Sequence, residues 1–262
     1  LGQYFPGNSI AHKLDPRTKI LLVTLYIIAL FSAKGWMGYA VMAVTLAACV
    51  KVSHVGLRAL VRGLKPLVFI IAFTGILNMF FTPDTHYLWE WGILRVSVKG
   101  IENALFMVIR IMLLVMGTFL MTYTTSPIRL TDGLESLLNP LKKIHVPVHE
   151  LAMMMAIALR FIPTLIEETD KIMSAQKARG ADFDSGNIFQ KAKALVPILV
   201  PLFISAFRRA DELATAMECR CYHGGEGRTK LHVLKYQRRD YVALTGGSVI
   251  LALVVVLRRL GA

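Results

Sequence analysis

An all-α membrane protein is the fold class this sequence predicts, with about five transmembrane helices and a cytoplasmic region of long helices ahead of the last one. Three observations carry that expectation. First, 55% of the 262 residues are hydrophobic and 18% are charged, with a mean hydropathy of +0.55. A soluble domain averages about 45–50% apolar, and here the excess is gathered into blocks. Second, the net charge of +13 lies between those blocks, the pattern by which Lys and Arg set membrane topology. It does not form the single basic patch of a nucleic-acid surface, so no nucleic-acid partner is expected. Third, residues 124–240 are too polar to span and too apolar to be a linker.

The spans follow in order. Ile20–Ala33 and Trp36–Val50 are joined by Lys34-Gly35, a tight hairpin. Both are shorter than the ~20 residues of a typical spanning helix, so flanking residues contribute or the bilayer thins. Pro66–Phe81 is the third, with Pro66 suited to a first helical turn. Asn103–Tyr123 is the fourth, and Tyr241–Leu257 the fifth. Leu151–Ile166 and Leu195–Phe207 are apolar but carry Arg160 and Pro163, and Pro197 and Pro201, respectively. Such short segments read as buried or interfacial helices. The loop between spans two and three holds Lys51, Arg58, Arg62 and Lys65 with no acid, whereas Thr82–Gly100 balances Arg95 and Lys99 against Asp84 and Glu90. The N-terminus, the 51–65 loop and residues 124–240 are therefore expected in the cytoplasm. Four segments result: a cytoplasmic stretch 1–19, four spans in 20–123, cytoplasmic helices in 124–240, and a last span in 241–262. An odd count of spans puts the C-terminus outside, although Arg258 and Arg259 pull the other way. No cleaved signal peptide is expected, because no charged segment precedes an apolar one at the N-terminus. Arg110 lies inside the fourth span, where two readings stand: it faces the bundle interior or a polar path, or it snorkels to the outer end.

In the cytoplasmic region Ser126-Pro127 opens a helix, with Leu130, Leu134, Leu137, Leu138 and Leu141 on its apolar stripe. A second runs from Pro147 to Arg179 and stops at Gly180; a third runs from about Ile188 to Tyr222. Their apolar surface exceeds what a solvated face needs, so partners or lipid should cover part of it. These helices also hold an internal echo at an offset of 41 residues, in which 170–180 matches 211–221. The aspartate, one alanine and the arginine are identical, and each copy ends a helix with an arginine between small residues. An unobstructed guanidinium, with five donors and a permanent charge, suits an acidic pocket on another protein. Favourable placement of a cation at a helix C-terminus accounts equally for either arginine alone; the matched pair points to paired docking. Met153, Met154 and Met155, with Met107, Met112, Met116 and Met121, read either as an adaptable surface or as ordinary filler.

Catalytic chemistry finds no footing. Gly224-Gly225-Glu226-Gly227-Arg228 lacks the lysine and following helix of a phosphate-binding loop, and His149-Glu150 has no second histidine of a zinc-protease helix. Cys49, Cys219 and Cys221 make neither a disulfide framework nor, with His223, a zinc site. No nucleophile–base pair stands out at membrane depth, and no inverted repeat of spans suggests a lone transporter. The chain is expected to be no enzyme and to hold no metal or cofactor.

Two sets of residues resemble a known family. The stretch Tyr4–Lys19, with His12, Leu14, Asp15, Pro16, Arg17 and Lys19, looks like the signature that precedes the first span in the transmembrane T components (EcfT) of energy-coupling factor transporters. The pair of X-Arg-X motifs, Ala178-Arg179-Gly180 and Cys219-Arg220-Cys221, is similar to that family's coupling motifs. The resemblance covers essentially the whole chain. It implies a prokaryotic cell-membrane complex with two ABC-type ATPases, which bind ATP and Mg, and a membrane S component that binds the substrate. It also implies that Arg179 and Arg220 dock into the ATPases, making 124–240 a coupling-helix region. The opening Gly2-Gln3-Tyr4-Phe5-Pro6-Gly7 resembles T components shared among vitamin S components. Cysteines in place of alanine and glycine in the second motif imply that helix termination there relies on Gly224.

Overall fold

The structure is a computed structural model that describes residues 4–82, 87–91, 94–181, 183, 187–224 and 233–260, with the backbone alone at 81, 87–91, 94–96 and 188. Asp84, the side chains of Glu90 and Arg95, and the glycine-rich stretch from Gly225 to Arg228 lie outside the described residues. The chain forms two compact units, one of residues up to 137 together with those from 234 on, the other Leu138–Val233.

In the first unit several helices begin at residues that cap them. Ser9 caps the short α1 (Ile10–Lys13), and Asp15 caps α2 (Pro16–Ser32) by accepting from the Arg17 amide at 2.9 Å. The Lys34-Gly35 turn leads into α3 (Gly35–Ser53), with Gly35 at φ 67°. Ser97 caps α6 (Val98–Thr124) through the Gly100 amide at 2.9 Å. Ser126 accepts at 3.4 Å from the Arg129 amide at the start of α7 (Pro127–Leu138).

Two loops turn out to be structured. The basic 51–65 stretch contains α4 (Leu57–Leu64), which buries Leu60 and Leu64 and exposes Arg58 and Arg62, before α5 (Val68–Phe81). Its apolar residues recur at helical spacing, so an amphipathic helix outcompetes a loop. Between α5 and α6, β1 (Tyr87–Trp91) and β2 (Leu94–Ser97) form an antiparallel hairpin, with Trp91 opposite Leu94.

The core gathers Leu30, Met42, Leu60 and Val254 around α2, α3, α6 and the last helix, α10 (Arg238–Arg259). Gly117 permits a close approach: a Cβ there would lie 2.5 Å from the Tyr26 ring, whose hydroxyl donates to the Leu113 carbonyl at 3.0 Å. Arg110 has a structural role. Its Nε donates to the Tyr39 hydroxyl at 2.9 Å, and its guanidinium lies 5.7 Å from the ring centroids of Phe31 and Tyr39. Those contacts satisfy a cation among aromatics, where a polar path would need a chain of polar neighbours.

The second unit holds α8 (Val148–Ala178) and α9 (Ile188–Glu218), each of 31 residues. Pro163, Pro197 and Pro201 sit inside these helices without ending them, although each removes one backbone donor. Both helices are continuous, as expected from the starts at Pro147 and Ile188 and the stops near Gly180 and Tyr222. By length and composition, α8 and α9 are among six stretches long and apolar enough to cross a bilayer, with α3, residues 57–80, α6 and α10. The 17-residue α2 holds the first expected span. The two rods run antiparallel: the Gln176 amide donates to the Pro197 carbonyl at 3.5 Å, Arg209 pairs with Glu168 at 2.9 Å while Ser205 donates to the same carboxylate, and the Tyr222 hydroxyl donates to Met153 Sδ at 3.2 Å. As the residue number falls on α8, it rises on α9.

Candidate interaction site: two arginine-tipped helix ends

The two X-Arg-X motifs end α8 and α9 with the same backbone geometry. In the first, the Gly180 amide donates to the Lys177 carbonyl at 3.0 Å and the Ala181 amide to the Gln176 carbonyl at 3.0 Å. In the second, the Cys221 amide donates to Glu218 at 2.9 Å and the Tyr222 amide to Met217 at 3.0 Å. Both pairs are the two hydrogen bonds of a Schellman cap, and every partner is displaced by the 41 residues of the sequence echo. The expectation that Gly224 ends the second helix is corrected. Cys221 itself takes the left-handed conformation, at φ 56° against 87° for Gly180, and the cap closes three residues earlier.

Within this frame Arg179 and Arg220 occupy equivalent positions at the helix end. Ala178, Arg179, Gly180, Cys219, Arg220 and Cys221 are all exposed. Among the described residues, neither guanidinium has a hydrogen-bond or ionic partner. Because Tyr222 lies on Met153, Arg220 is level with about residue 155 of α8, some 24 residues before Arg179. At 1.5 Å per residue the tips are about 36 Å apart. They stand at opposite ends of the antiparallel pair.

The N-terminal residues form a different kind of site, a polar knot. His12 Nε2 donates to the Phe5 carbonyl at 3.0 Å, which leaves Nδ1 to accept from Ser9 Oγ at 2.7 Å. Asp15 Oδ1 accepts the Arg17 amide, Pro16 takes the first helical position, and the Asp15 amide donates to Asp240 Oδ1 at 2.9 Å. Asp240 Oδ2 accepts the Gln237 amide at 2.8 Å. Arg17 donates to the Leu234 carbonyl at 2.7 Å and stacks on Tyr236, 4.9 Å from its centroid. Lys19, one residue ahead of the first apolar block, donates to the Thr124 carbonyl at 2.8 Å and to Thr125 Oγ1 at 3.1 Å. Burial lowers its pKa from 10.5 to about 8; Arg129 pushes the same way and Asp240 opposes. Leu14 lines a neighbouring apolar cavity. The knot thus ties the start of α2 to the end of α6 and the start of α10. Asp240, Ser9, Thr124 and Thr125 were not singled out by sequence reasoning, although Gln237 and Asp240 have the i, i+3 spacing of a capping box.

Against this geometry the comparisons are decisive. A family profile described as cobalt transport protein (CbiQ) matches residues 7–231. An energy-coupling factor transporter transmembrane protein EcfT of Ruminiclostridium cellulolyticum is 53% identical, covering 98% of this chain and 96% of the relative. The chain belongs to the EcfT family. Other EcfT proteins match over nearly the full length: one from Thermosediminibacter oceani is 56% identical over 93% of this chain and 91% of its own length, and one from Bacillus subtilis 47% identical over 98% and 97%. These names describe a transmembrane subunit of a transporter, and the helices described above make this EcfT family member a multi-pass membrane protein.

Proposed function

We propose that this chain is the membrane scaffold of an ECF-type ABC importer, transmitting ATP-driven movement of two ATPase subunits to a substrate-binding S component. The observation that carries the reading is the pair of matching Schellman caps that present Arg179 and Arg220 at the two ends of α8–α9. Each guanidinium, flanked by small residues, fits an acidic groove on one ATPase. A spacing of about 36 Å suits two separate subunits. ATP and Mg are bound by those subunits, and this chain contributes no catalytic group or cofactor. Closing of the ATPase pair displaces the two tips, and the long helices carry that displacement to the membrane partner. Residues 1–19 and 124–240 face the cytoplasm, where ATP is, and the membrane is that of a bacterial cell.

Charge reversal tests the docking. Arg179→Glu and Arg220→Glu are each expected to cost ~2–5 kcal/mol of ATPase binding where the arginine is buried and paired. The double variant should insert normally and lose both ATPases in a pull-down; retention of both overturns the reading. For the cargo, the N-terminal stretch favours a vitamin, whereas the description of the matching family favours cobalt. Mass spectrometry of the small molecule or metal carried by the intact complex separates the two.

A further inference from the structure

A cavity of about 670 Å³ in the first unit has no part in the docking scheme. It is walled by α2, α3, α6 and α10, and its walls are graded along the helix axes. Lys19, Arg238 and Arg239 stand at one end; Ala29, Met42 and Ile250 stand at the other. From Lys19 to Ala29 along α2, or from Arg239 to Ile250 along α10, the slot runs about 15 Å. That is one leaflet's half of a ~30 Å hydrocarbon core. Between the ends the lining is almost wholly apolar, with Leu22, Leu46 and Leu120 among it. At the rim, Val52 on α3 and Val242 on α10 are 46% and 71% exposed, so the slot opens sideways.

The polar end is cationic and available. Lys19 commits its ammonium group to Thr124 and Thr125. Arg238 and Arg239 are exposed, and among the described residues neither has a hydrogen-bond or ionic partner. We propose that the slot is a binding site for one anionic phospholipid of the leaflet on the N-terminal side, with an acyl chain between α2, α3 and α10 and the phosphate at Arg238 and Arg239. An anionic headgroup gains about fivefold in affinity from each nearby basic residue. The apolar walls favour a chain without regard to its headgroup.

The test uses the full-length protein, purified and set in nanodiscs of phosphatidylcholine with or without phosphatidylglycerol, with retained lipid read by native mass spectrometry. Phosphatidylglycerol should be retained in preference to phosphatidylcholine. The double variant Arg238→Gln/Arg239→Gln should lower phosphatidylglycerol retention about thirtyfold and erase the preference. Gly246→Leu fills the slot without a clash, since a Cβ there meets nothing within 4 Å, and should lower retention of both lipids. A photoactivatable phosphatidylglycerol, labelled on its acyl chain and used with the unaltered protein, should crosslink to residues 42–49 and 242–250. Equal retention of the two lipids, variants that retain lipid like the parent, or crosslinks spread evenly over the exposed helices would each overturn the proposal. So would a Gly246→Leu variant that loses a membrane protein partner while keeping its lipid.

Discussion

Cys221 shows how far a single position can depart from its rule. A left-handed φ of 56° at a residue with a Cβ costs about 1–2 kcal/mol, and glycine removes that cost. Cys221→Gly is therefore expected to raise the protection of the last turn of α9 in hydrogen exchange roughly fivefold or more. Gly180→Ala should lower that of α8 by a similar factor. The opposite outcome in either variant would mean that the caps do not hold these ends. Buried Asp240, 2% exposed, accepts from the amides of Asp15 and Gln237. Asp240→Ala strands the buried Asp15 amide and uncaps the part-buried Gln237 amide, and is expected to cost about 1–3 kcal/mol, read as a fall of several degrees in Tm. Asp240→Asn, which keeps the shape, should cost less. Residues of this kind were hard to find beforehand: Asp15 and Asp240 are far apart in sequence, and nothing local to either signals the other.

At the scale of elements, the sequence was clearest where one period ran unbroken. The starts of α2, α7 and α8 were legible from Asp15, Ser126 and Pro147, because caps and first-turn prolines act locally. The continuity of α8 and α9 past Pro163, Pro197 and Pro201 was legible too, from their starts and stops. That both are long and apolar enough to cross a bilayer was not, because their apolar blocks were read without the flanking residues. Likewise α4 lay hidden among positive charges that were read for topology alone. The antiparallel course of α8 and α9 gives a distance to check. With Cys49, Cys219 and Cys221 replaced by serine, spin labels at Lys177→Cys and Glu218→Cys should report about 30–35 Å. A separation under ~20 Å would show the tips side by side and remove the geometric basis for two separate docking partners.

For the molecule as a whole, fold class and family were open to reading from the chain, because hydropathy blocks and an N-terminal signature survive without coordinates. The cavity between α2, α3, α6 and α10 was not, since it depends on which faces of four helices leave a gap. Reconstituted alone in liposomes, the protein is expected to move no solute, with flux appearing only when ATPases, S component and ATP are added; flux without them would contradict a scaffold role. The two arginine-tipped helix ends also differ chemically. Both exposed cysteines outside the spans, Cys219 and Cys221, flank Arg220, and Arg179 has none beside it. A maleimide footprint therefore distinguishes one arginine tip from the other without introducing a probe.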